Sequence, residues 1–226
     1  MAVVIVQEAE FGSTAGDEVD PYTATLASDT VAGNMVIIIV SADTTVVTPT
    51  GFTLDRSEVN SNAGYIWTKD SVAETSSWDV DINGAFPLRG WVAEVSGLTS
   101  GVDQVQSAQS GADNDQTTGT TGTTDTADEW LVATIGQSNS FQPPNATMAG
   151  WTNSFVEQVD TPTTKTSGTN VGFGVALRTV SSTGTFETTA DFLRNVASTG
   201  IIATYRIAAA AVYPPFPRRQ NTLVRM

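Results

Sequence analysis

Asp79 and Asp81 stand two residues apart in a run where Trp78, Val80 and Ile82 alternate with them. That spacing puts both carboxylates on one face of a strand and the apolar side chains on the other. A carboxylate pair can serve glycoside hydrolysis, which needs separations of roughly 5–10 Å. It can also help to hold calcium, which takes several oxygens. The same pattern describes an ordinary half-buried strand with a solvated face. Asp113-Asn114-Asp115 is a second oxygen-rich group, but the EF-hand loop pattern is absent. Glu8, Glu10, Asp17, Glu18 and Asp20 make the N-terminal region acidic. They could receive cationic side chains from another copy, or face solvent.

Tryptophan is a natural platform for a sugar ring, and the chain has five: Trp67, Trp78, Trp91, Trp130 and Trp151. Four fall in alternating strand patterns that suit core packing. Trp67 and Trp151 remain the candidates for glycan contact. There is no cysteine and no histidine. Disulfides, thiol catalysis, Cys/His zinc sites and Ser-His-Asp machinery are therefore excluded. No phosphate loop or dinucleotide fingerprint occurs, and Asn145-Ala-Thr147 is a glycosylation sequon that matters only in an export pathway. The expectation is a protein that is not an enzyme, with no catalytic residues, no cofactor and no metal.

The last residues, Ala208 to Met226, belong to a different physical class. They carry three of the ten basic residues and none of the 24 acidic ones, so the segment is +3 and residues 1–207 are −17. Pro214, Pro215 and Pro217 forbid a helix interior or a central strand, because proline lacks the amide donor and fixes φ. What remains is an extended, partly polyproline arm. Tyr213, Phe216, Arg218, Arg219, Leu223 and Arg225 are its expected partner-docking residues, since aromatic and Arg side chains dominate binding hot spots.

The elements that must position these residues read as strands. Charged residues make up only 15% of the chain, and Gly, Ser and Thr take their place, as in loop-rich all-β proteins. Met35–Val40 is apolar on both faces, which marks a central strand. Trp130–Ile135 reads as a second buried strand. Asn83-Gly84 is a turn signal, expected to join Trp78–Ile82 and Leu88–Val95 in a hairpin. Val102–Gln109 reads as an edge strand. The tract from Gly111 to Ala127, with GTTGTTDTAD, reads as an exposed loop or edge strand with turns. Trp151–Val159, Gly172–Val180, Gly184–Ala190 and Gly200–Ile207 are further expected strands, and Asp191–Asn195 one helical turn. The expected fold is an all-β antiparallel β-sandwich, jelly-roll-like, of about a dozen short strands. It spans 1–207, with the arm over 208–226.

A net charge of −14 argues against nucleic acid as a partner. The longest apolar run is far shorter than the roughly 20 residues that span a bilayer. The start has no basic region of a signal peptide. No membrane partner is expected.

Several segments together resemble a β-sandwich type of phage structural proteins and secreted bacterial proteins. They are Thr30–Ser41 with its Gly-Asn turn and apolar strand, Gly51–Asp55 followed by Tyr65–Lys69, Gly90–Leu98, Thr126–Ala133, and Gly172–Gly184 with Ile202–Ile207. The resemblance covers roughly 1–207, and the arm sets the chain apart from the secreted forms. It implies a structural protein of a tailed bacteriophage, either a minor tail protein or a capsid decoration protein, located in the virion. The partners it implies are other virion proteins, further copies of the chain in a homo-oligomer, and a host-surface glycan. A carbohydrate-binding module or adhesin is the alternative.

Overall fold

The computed structural model describes residues 2–15, 17–71, 75–139, 148–164 and 168–209. The described residues form an all-β antiparallel sandwich. Five strands make the first sheet, in the order β1 (Val4–Gly12), β7 (Leu88–Ser96), β3 (Met35–Ala42), β5 (Ala63–Asp70), β4 (Thr53–Val59). Five make the second, in the order β10 (Val156–Asp160), β11 (Asn170–Ser181), β9 (Asp128–Asn139), β12 (Thr189–Ile207), β8 (Leu98–Thr117). A two-stranded sheet pairs β2 (Tyr22–Thr25) with β6 (Ser77–Val80). The chain completes the first large sheet before it starts the second. It does not alternate between them strand by strand as a jelly roll does.

Among the described residues the first large sheet is covered on both faces, which explains why β3 is apolar throughout. Met35, Ile37 and Ile39 enter the core between the large sheets, against Trp130, Phe173 and Tyr205. Val36, Ile38 and Val40 face the other way, under Trp78 and Val80 of the small sheet. On the far side, Leu131, Ala133 and Ile202 of the second sheet are covered by Phe155 and Phe186. Burying each large aliphatic side chain contributes about 1.5–3 kcal/mol relative to leaving it exposed.

Three sequence expectations change here. β6 pairs with β2, and β7 pairs with β1 and β3, so they form no hairpin. Asn83 and Gly84 do turn the chain, with φ of 56° and 136°, but the turn leads from one layer into another. Asp191–Asn195 lies inside β12, not in a helix, since pairing with β8 at Asp191 and Val196 outweighs local preference. Gly184–Thr188 is extended but outside any strand.

That last segment is held by the low-complexity tract. Thr118, Thr121 and Thr124 donate their backbone N–H groups to the carbonyls of Thr188, Phe186 and Gly184, at 3.0, 2.9 and 3.0 Å. Their hydroxyls accept the N–H groups of the same three residues, at 3.1, 2.9 and 3.3 Å. A three-residue repeat matches a polyproline-like turn, so the threonine at every third position points inward. All three are buried. The tract is therefore a ladder, not a free loop.

Polar side chains stitch the open sides of the sandwich. On one side, Gln158 donates to both carboxylate oxygens of Glu8 at 2.9 Å. Trp91 donates to Glu8 at 2.7 Å, and Thr161 and Arg89 donate to Glu10. On the other side, Arg56 donates to Ser107 at 2.8 Å and Ser107 to Glu58 at 2.5 Å.

Candidate docking site

The ends of the described chain, Ala2 and Ala208–Ala209, meet at one end of the sandwich. The Ala208 N–H donates to the Gly97 carbonyl at 2.8 Å. A Cβ on Gly97, which has φ of 84°, would overlap the Ala2 carbonyl. Next to this junction lies a cavity of about 1030 Å³, whose walls include Val3, Asp128, Thr179, Val180, Ile207 and Ala209. Beside it, Arg206 pairs with Asp103 and, at 2.6 Å, with Asp125. Asp103 keeps the Arg206 guanidinium above its ordinary pKa. β12 pairs with β8 and β9 on its two sides, so the point where the arm leaves is fixed.

The seam between β1 and β10 opens toward this end. Gln158 meets Glu8, Thr161 meets Glu10, and the Thr164 N–H meets the Thr14 carbonyl at 2.7 Å. The two strands thus run the same way along the seam, and Val156 lies level with Val6. Val4, Val6 and Val156 are 51%, 48% and 70% exposed, bare apolar surface on two edge strands, with Val4 turned away from the second sheet because its neighbour Ile5 faces the core between the sheets. The sequence signalled it only as a β-branched run, Val3–Val6, with nothing to say that its strand would be an edge.

Tyr213, Phe216, Arg218, Arg219, Leu223 and Arg225 lie outside the described residues. Trp67 is fully buried, stacked on Tyr65 at 4.9 Å, with its indole N–H on Thr48 at 3.3 Å. It presents no face to a sugar, which corrects its candidacy. Trp151 is half-buried and packs against Met148, above Gly174, where a Cβ would overlap the Met148 Sδ. Its indole nitrogen is buried and makes no hydrogen bond.

Asp79 is exposed on β6, and exposed Asp81, just past the end of that strand, accepts the Asn83 N–H at 2.8 Å. Asp17 caps the Thr14 backbone at 2.6 Å, and Asp20 holds the N–H groups of Ile82 and Gly84, at 3.2 and 2.6 Å. Glu8, Glu10, Asp17 and Asp20 thus fasten strands and loops of their own chain. Among the described residues, no three metal-ligating side chains gather to hold an ion.

The perturbed carboxyls are also structural. Burial raises the Asp55 pKa, against hydrogen bonds from Tyr205 and Thr68. Burial raises that of Glu129 as well, against a hydrogen bond from Thr126. Burial also works to raise that of Glu94, but hydrogen bonds from the Val31 backbone, Gln7 and Asn34 outweigh it and hold the carboxyl below its ordinary range. Burial pushes Asp160 up to about 6, with Glu157 and Glu10 adding repulsion and the Met148 N–H opposing. None of these four carboxyls lines the cavity at the chain ends. Among the described residues no helix is long and apolar enough to cross a membrane. No protein-family model, curated protein or solved structure matches the chain.

Proposed function

We propose that this chain is a non-enzymatic structural component of a tailed-phage virion, a minor tail protein or a capsid decoration protein. The sandwich is the exposed body, and 208–226 is the arm that anchors it to neighbouring subunits. The observation that carries this reading is where the arm starts. It leaves from a strand paired on both sides, beside a cavity of about 1030 Å³. A fixed root and a nearby recess suit an arm that transmits a grip to the body. The arm also has the opposite charge to the body. The anchoring it offers is extended-chain contact, with aromatic and Arg side chains as anchors.

The carbohydrate-binding alternative now rests on Trp151 alone. Immunogold electron microscopy, with antibody to the sandwich, tests the proposal on phage particles from the culture that encodes the chain. Label on the capsid identifies a decoration protein, and label on the tail identifies a minor tail protein. Unlabelled particles would overturn the virion reading. Deleting 210–226 should abolish incorporation while the body stays folded.

A further inference from the structure

We propose that residues 210–226 of one copy dock on a second copy, in the cavity at its chain ends and along the open part of its β1–β10 seam. This deepens the reading of 208–226 as a docking arm and rests on it. Three observations point to a second copy as the occupant.

The first is shape and polarity. The cavity has apolar wall residues in Val3, Val180 and Ile207, and past Thr179, which also lines it, a second hollow with Leu177 and the exposed Val156 extends that surface at the β10 side of the seam. Elsewhere this seam is closed by Glu8–Gln158, Glu10–Thr161 and Thr14–Thr164. Here bare apolar side chains stand where an extended segment can lie. Tyr213, Phe216, Leu223 and Val224 supply apolar side chains for such a contact.

The second is charge. Glu157 and Asp128 are exposed beside this surface, and the body as a whole is −17. An arm of +3 without an acid complements it. Such attraction steers association and weakens as salt rises.

The third is direction. The chain already stands at its own cavity at Ala209. Entering it would need an immediate reversal within Ala210-Ala211-Val212, which holds no Gly, Asn, Asp or Pro to make the turn. After Tyr213, Pro214-Pro215 favours extension and opposes reversal. Seventeen extended residues reach on the order of 50 Å, enough to cross to a neighbour. Two copies exchanging arms make a closed, two-fold arrangement in which each cavity is filled.

Sedimentation equilibrium tests this with three proteins: the full chain, the chain ending at Ala209, and full-length Val156→Asp. The valine is 70% exposed, so that substitution leaves the core intact, as circular dichroism would verify. The full chain should self-associate, and association should weaken with added salt. The chain ending at Ala209 should be monomeric. Val156→Asp should raise the dissociation constant about tenfold or more. A full chain that stays monomeric at its solubility limit overturns the proposal. So does self-association that survives the deletion, or that ignores Val156→Asp, since the arm would then dock elsewhere. The virion reading stands or falls separately, on the gold label.

Discussion

Tyr205, fully buried in β12, donates its hydroxyl at 2.7 Å to Asp55 of β4, the edge strand of the opposite sheet. Thr68 donates to the same carboxylate at 3.0 Å. The pair joins the two sheets through a charge-assisted bond to a half-buried acid. Burial, with Asp55 beside it, raises the Tyr205 pKa well above its ordinary value, so the hydroxyl stays a donor.

Tyr205→Phe keeps the ring packed near Trp130, 6.0 Å away between centroids, and removes one donor. The expected cost is about 1–3 kcal/mol, read as a lower urea midpoint with an unchanged slope. Without that donor the Asp55 pKa rises further, so the penalty should shrink as pH falls. A penalty independent of pH would mean that Asp55 does not depend on Tyr205.

Asp160 sets the behaviour near neutrality. Its folded pKa of about 6 lies above its ordinary 3.8. The folded state therefore binds the proton more tightly than the unfolded one. The resulting stabilisation is complete below the unfolded value and is lost as pH rises through about 6. The melting temperature should climb as pH is lowered from 7.5 to about 5.5. Asp160→Asn should be more stable than the parent at pH 7.5 and should flatten that climb. A parent protein that melts lower at pH 5.5 contradicts this assignment.

Glu94 works in the opposite sense. Its buried carboxylate accepts from the Val31 N–H and Asn34 at 2.6 Å and from Gln7 at 2.7 Å. Its folded pKa is held below 4.5. The stability it supplies is present above that value and is lost as pH falls through the folded pKa. Glu94→Gln turns an amide N–H group toward donors and should cost about 1–3 kcal/mol at pH 6. The loss should vanish in strong acid. With Asp160, this places the stability maximum in a mildly acidic window, which a series of melts across pH would locate.

Much of the fold was legible because strand patterns report burial directly. Met35–Val40 and Trp130–Ile135 are apolar on both faces, and both lie at the centres of five-stranded sheets. Pairing was less legible because it is non-local. Asn83-Gly84 announces a turn, but nothing nearby says that β6 will join β2, which lies more than 50 residues earlier. The docking site divides the same way. The arm's charge and prolines can be read from composition. The cavity depends on Val3, Thr179 and Ile207 coming together, and the seam beside it on β1 and β10 becoming neighbouring edges, whose contacts span about 150 residues. Trp67 shows the limit of reading type alone, because an aromatic suited to sugar stacking is equally suited to the core.

The threonine ladder offers the most local test. Thr121 is buried and uses both its backbone N–H, on the Phe186 carbonyl, and its hydroxyl, which accepts the Phe186 N–H at 2.9 Å. Valine fills the same space, so Thr121→Val isolates the hydroxyl. The Phe186 amide then loses its acceptor beneath the aromatic cover of the second sheet. An orphaned buried donor costs about 1–3 kcal/mol. The loss should appear as a lower melting temperature and as faster hydrogen exchange at Phe186. Thr120→Val is the control: its hydroxyl points to exposed Glu187, and replacing it should change stability by less than about 0.5 kcal/mol. Equal effects at the two positions would show that the three-residue repeat is not what holds the segment Gly184–Thr188 in place.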